Sequence, residues 1–150
     1  MDKYMTTSLE LKVRTEIVAL HEFFVSWFSG NLAVNTFEDG FLSRFDQKFQ
    51  LIPPAGNLMS LQALHGAVQR SYGTNPEFRI VIRNVKILKV FDGHVLATYE
   101  EWQRNALASK PADNARIASV IFKHCEPLQW LHVHETWLPD SIASAGPYDF

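Results

Sequence analysis

The segment Trp130-Leu131-His132-Val133-His134-Glu135-Thr136-Trp137 reads as a β-strand with two chemically different faces. Successive side chains on a strand point to opposite sides. Leu131, Val133, Glu135 and Trp137 therefore share one face, and Trp130, His132, His134 and Thr136 the other. With Pro127-Leu128 as the hairpin turn, Phe122 lies opposite Val133 and Val120 opposite Glu135, so the Glu135 face is apolar. A carboxyl on such a wall loses hydration when it ionises, and full burial can raise its pKa by up to ~3–5 units. A group tuned in that way can act as a general acid or base, typically worth about 10²–10⁴ in rate. The competing reading of Glu135 is a structural ion pair with Arg116, Arg79 or Lys123, or plain exposure near the pocket mouth.

Two other sets of residues bear on chemistry. His65 shares a helical stripe with Leu61, Leu64, Val68 and Tyr72, where it is either a proton carrier facing a cavity or a core histidine bonded to a carbonyl. His21 sits at the edge of a similar stripe. His132 and His134 point the same way, but a zinc site takes three or four ligands. Cys125 lies near Trp130 in this register but His124 faces the other side, so a third ligand is not assured and no metal is expected. The half-apolar patch of Trp130, Ile121, Ile117 and the two histidines instead suggests a homodimer face.

Composition narrows the classes. The chain has 150 residues, of which 47% are hydrophobic, with eleven Phe and four Trp, so it can bury a substantial core. A net charge of −2 with scattered Lys and Arg argues against nucleic acid as a partner. No apolar run approaches the ~20 residues that span a bilayer, and the first residues do not read as a secretory leader. A cytoplasmic protein is the resulting expectation. Cys125 is the single cysteine, which rules out an intrachain disulfide. No phosphate-cradling, dinucleotide-binding or nucleophile-elbow motif is present, and no cofactor is expected.

The elements that must position these residues follow from periodicity. Ser8 is a plausible N-cap for a helix over 8–29, with Leu9, Val13, Ile17, Leu20, Phe24 and Trp27 on one stripe. A second, shorter helix carries Phe37, Phe41 and Phe45. A strand over 47–52 leads to the Pro53-Pro54-Ala55-Gly56-Asn57 turn, and a third helix starts at Ser60. Strands are then expected over 79–91, 94–105, 115–125 and 129–138, with Asp92-Gly93 as a two-residue hairpin turn. The tail 140–150 has no periodicity, and either moves freely or docks through Tyr148 and Phe150. The expectation is one α+β domain over 1–150, its core over about 8–139. Three N-terminal helices would pack on a strongly curved, mostly antiparallel sheet, leaving a concavity for a ligand.

This layout, with Phe49-Gln50-Leu51-Ile52-Pro53-Pro54, Thr98-Tyr99-Glu100-Glu101-Trp102 and the closing Trp130-x-x-Val133-His134-x-x-Trp137, resembles the nuclear transport factor 2-like superfamily of cystatin-like α+β cones. The ending is similar to that of SnoaL-like proteins and of the calcium/calmodulin kinase II association domain. The resemblance implies that the Glu135 face is concave and that dimers form through the outer sheet face. It also implies that Leu96, Thr98, Glu100 and Trp102 point inward, though a one-residue slip would bring in Tyr99 and Glu101 instead. The implied pocket holds a small apolar or amphipathic molecule, with Glu135, Glu100 and His65 as candidate acid/base groups. Val133, Trp137, Trp102, Phe122, Val120, Thr98 and Tyr72 are candidate ligand contacts. The superfamily includes isomerases, dehydratases, cyclases and assembly modules, and one fold does not choose among them. The Tyr-and-Asp set of ketosteroid isomerase and the His-Asp dyad of scytalone dehydratase have no counterpart in this reading. Trp137 stands where the kinase association domain has a pocket arginine.

Overall fold

A computed structural model describes residues 3–150, with side chains described from residue 8 onward. The first helix, α1, runs Lys3–Phe28. It begins more than a turn before the expected Ser8 cap, so Ser8 lies inside the helix. It ends where Gly30 takes a φ of 75°, a conformation glycine adopts without strain.

The expected second helix is a broken turn. A 3₁₀ turn at Val34–Thr36, a four-residue helix α2 at Phe37–Gly40 and another 3₁₀ turn at Leu42–Arg44 together place Phe37 and Phe41 in the core. Strand β1 follows at Phe45–Ile52, then a two-residue strand β2 at Met59–Ser60 that periodicity could not reveal. Helix α3, Leu61–Arg70, is capped by the Ser60 hydroxyl, which accepts from the Ala63 N–H at 3.2 Å.

Strands β3 (Arg79–Phe91), β4 (His94–Arg104), β5 (Asn114–Lys123) and β6 (Gln129–Trp137) form the antiparallel meander read from the sequence. Asp92 and Gly93 both have positive φ, 45° and 72°, as the tight β3–β4 turn requires. The sheet order is β2-β1-β6-β5-β4-β3, and β1 lies parallel to β6. Register shifts between Arg83 and Lys86 and between Ile87 and Lys89 interrupt β3, and such bulges bend a strand. The sheet curls over α1, and the main core occupies part of the concavity.

Two register features differ from simple alternation. Val120 pairs with Val133 and Ala118 with Glu135, two residues from the expected partners, so the faces are kept. Between Ile121 and Phe122 the ladder shifts: Ile121 opposes His132, while Phe122 opposes Trp130. Leu131 is the extra residue. Trp130 is thereby turned to the concave side, where it is 1% exposed and packs against Phe122 at 4.7 Å. Its Nε1–H donates to Glu16 Oε1 at 2.9 Å. It belongs to the core and not to the outer patch.

The tail forms a short helix, α4 (Asp140–Ala143), and docks on the convex side of the sheet. The Arg83 guanidinium lies 4.6 Å from the Trp102 ring and 5.7 Å from that of Phe150, and donates to the Pro147 carbonyl at 3.0 Å. Trp102, Ala115 and Leu138 form a second small core beneath Tyr148 and Phe150. No helix among the described residues is long and apolar enough to cross a membrane.

Candidate active site

The cone holds an open-mouthed cavity of about 250 Å³ between α1, α3 and the concave sheet. Most of its wall is aromatic or aliphatic, including Phe24, Phe28, Phe45, Leu64, Phe78 and Val133. Five polar side chains break that wall: His21 from α1, Glu101 and Gln103 from β4, Arg116 from β5 and Glu135 from β6.

His21 and Glu101 form a buried pair, His21 Nε2 lying 2.9 Å from Glu101 Oε1. His21 Nδ1 is 2.7 Å from the Ile17 carbonyl, which can only accept, so Nδ1 carries a proton. The Nε2–Oε1 contact then needs one further proton, held by one partner or the other. Burial opposes charge on both groups, yet each is outweighed by the other's charge and by their hydrogen bond. His21 is raised above its ordinary value, and Glu101 is lowered to about 2. The pair is therefore imidazolium and carboxylate, and both His21 nitrogens are engaged as donors. His21 can orient and charge the site, but has no free lone pair with which to take a proton.

Glu101 Oε2 accepts from Gln103 Nε2, whose Oε1 accepts from Arg116 Nη2 at 3.2 Å. Arg116 Nη2 also donates to Asn114 Oδ1 at 3.1 Å. A continuous polar chain thus crosses the concave face from α1 to β5.

Glu135 stands beside this chain. Arg116 Nη1 approaches its Oε1 to 3.6 Å, an ion-pair distance too long for a hydrogen bond, and no hydrogen bond to Glu135 is found among the described residues. Burial, followed by the nearby Glu101 charge, raises Glu135 to about 7, against the opposing pull of Arg116 and His21. Tyr99 also lines the cavity and makes no hydrogen bond through its hydroxyl among the described residues. Burial and the two carboxylates hold that phenol protonated, as a neutral donor.

Of the residues singled out in the sequence, Glu135 and Val133 line the cavity. Val120 and Phe122 lie in the core on the same side but do not line it. The β4 row is the slipped alternative: Tyr99, Glu101 and Gln103 face inward, and Thr98, Glu100 and Trp102 face outward. Glu100 accepts from Asn84 Nδ2 at 2.8 Å and from Trp102 Nε1 at 2.9 Å, on the tail-covered side of the sheet. Trp137 lies past the cavity's edge, 46% exposed, with the Arg116 guanidinium 4.8 Å from its ring. His65 packs on Phe37 at 5.2 Å outside the cavity lining. Tyr72 is tied up structurally, its hydroxyl donating to the Leu32 carbonyl at 2.6 Å. Tyr99 and Glu101 enter the sequence reading only as the slipped register and Arg116 only as an ion-pair partner for Glu135, while His21 lies at the edge of its stripe and Gln103 is not foreseen. His132 and His134 are on the convex face, and no group of three or more His, Cys, Asp or Glu side chains among the described residues is arranged to hold a metal.

No protein-family model matches the sequence, and no curated protein matches it. Solved structures do. A nuclear transport factor 2-like protein of unknown function from Pseudomonas aeruginosa superposes with a TM-score of 0.75 at 23% identity, over 85% of this chain and 99% of that one. A suspected dehydratase of the same family from Streptomyces avermitilis gives 0.62 at 13% identity, over 89% and 99%. The association domain of calcium/calmodulin kinase II from C. elegans gives 0.59 at 11%, over 89% and 96%. These likenesses establish the nuclear transport factor 2-like, cystatin-like α+β fold.

Proposed function

We propose that the protein binds a small, mainly apolar molecule in the cone and moves a proton to or from it at Glu135, as a cofactor-independent isomerase, dehydratase or cyclase would. One observation carries this reading: Glu135 is a buried carboxyl on the wall of a mainly apolar cavity, 3.6 Å from its nearest cation Arg116, where burial raises it to about 7. A group that titrates near neutral pH can both give and take a proton at useful rates. Tyr99 is suited to donate a hydrogen bond to an oxygen on which negative charge develops. The His21–Glu101 pair fixes the field in which Glu135 titrates. The likeness to a suspected dehydratase agrees with this chemistry.

Two measurements test the proposal. Native mass spectrometry of freshly purified protein should show an organic mass of a few hundred daltons retained in the cavity. Carbon-13 NMR of glutamate-labelled protein should show one carboxyl titrating near neutral pH and missing from Glu135→Gln. A spectrum in which every glutamate titrates in the ordinary range would remove the acid–base role.

We infer in addition that two copies associate through the convex sheet face. Ile117 is 40% exposed there, beside Ile121, His132 and His134. A lysine at Ile117 should then shift the sedimentation of a dimer to that of a monomer. An unchanged sedimentation coefficient would exclude this face.

A further inference from the structure

We propose that the cavity takes an amphipathic monoanion, an apolar body bearing one carboxylate or similar oxyanion, and that Arg116 receives its acidic end. The inference rests on the binding reading above and adds the class of ligand.

Arg116 has donors to spare. A guanidinium carries five N–H groups. Nη2 is engaged by Gln103 and Asn114, Nη1 comes no closer than 3.6 Å to Glu135, and Nε is buried without any partner. Buried polar groups are almost always satisfied, and a buried Nε–H without a partner, on a side chain that lines a cavity, is placed for an acceptor that arrives later. Its orientation is already fixed, by two side-chain oxygens and by the Trp137 ring at 4.8 Å.

The charges around it agree. From α1 comes His21, from β4 Glu101 and Tyr99, and from β6 Glu135. His21 and Glu101 cancel, and Tyr99 is neutral. When Glu135 holds its proton, the positive charge of Arg116 is left uncompensated. One anionic group on the ligand would balance it. The rest of the wall is hydrocarbon, so the remainder of the ligand is apolar. A single uncompensated cation, with no cradle of glycine amides, does not suit a nucleotide or a polyanion.

The test is isothermal titration of the full chain at pH 6 with phenylacetate, 3-phenylpropanoate, 4-phenylbutanoate, hexanoate and octanoate. Each acid is paired with its primary amide. The amide keeps shape and apolar area but lacks the charge. At least one acid should bind roughly ten-fold tighter than its amide. Arg116→Gln should bring the two to within about two-fold, while Arg116→Lys keeps a preference for the acid. Should Arg116→Gln not fold, pH gives an independent readout. Wild-type affinity for the acid should weaken as Glu135 ionises and competes for Arg116, and in Glu135→Gln it should stay constant from pH 6 to pH 8. Amides binding as well as acids, an acid preference surviving Arg116→Gln, or pH-independent binding by wild type would each overturn the inference and leave the cavity reading standing. If no acid and no amide binds, both fall.

Discussion

His21 and Glu101 are 80 residues apart in sequence and 2.9 Å apart in the fold, joined as a buried imidazolium–carboxylate pair. Removing one member of such a pair strands the other's charge in the core, at a cost of about 3–5 kcal/mol. His21→Leu and Glu101→Leu should each destabilise by that order in urea unfolding. The double substitution should cost far less than the two singles combined, because no charge is then left unpaired. Additive single and double costs would mean that the contact is not an ion pair.

Glu135 makes stability depend on pH with a definite sign. In the folded chain its carboxyl keeps its proton up to about pH 7, against an ordinary value of 4.5. The folded state therefore binds more protons than the unfolded state between those limits, and stability declines as pH rises through them. The contribution is fully present below about 4.5 and lost above about 7. At ~1.4 kcal/mol per pKa unit it is on the order of 3 kcal/mol. Glu135→Gln should flatten the urea midpoint across this window relative to wild type. Parallel profiles for the two proteins would count against a raised Glu135.

The two inward and outward glutamates of β4 and β6 separate function from surface chemistry. Once a turnover is found, Glu135→Gln should lower kcat by about 10²–10⁴. Glu100→Gln should leave kcat unchanged, because Glu100 lies across the sheet from the cavity. Equal losses in both variants would point to a structural effect rather than to proton transfer at Glu135.

Removal of residues 147–150 takes Pro147, Tyr148 and Phe150 off the convex face. The lost stacking on Trp102 and Arg83 should cost about 1–3 kcal/mol and red-shift tryptophan emission as Trp102 meets water. Ligand affinity in the cone should not change, since the tail covers the opposite side of the sheet. A tail that instead plugged the cavity would show itself as tighter ligand binding after truncation.

The meander, its hairpin turn and the concave placement of Glu135 were legible in the sequence, because alternation and a two-residue turn are local signals. What escaped was set by distant contacts. On β4 both faces mix polar and aromatic residues, and the outward Trp102 is buried only because a tail 46 residues further on covers it. The turn of Trp130 into the core depends on one extra residue, Leu131, opposite a partner strand. His21 sits at the margin of its helical stripe and gains meaning only from Glu101 on β4. The polar chain through Gln103 to Arg116 likewise exists only after folding.

The parallel pairing of β1 with β6 orders events during synthesis. Phe45 lies beside Trp130, and Leu51 beside Val133, so β1 has no neighbour on that edge until β6 has been made. Closing so long an intervening loop is slow compared with forming the β3–β4 and β4–β5 hairpins. A ribosome-bound chain that stops short of β6 leaves Phe45 and Phe49 uncovered on a strand edge, a surface prone to association. The last strand to emerge is also the one that carries Glu135. The cavity wall is therefore completed late, when that strand seats between β1 and β5.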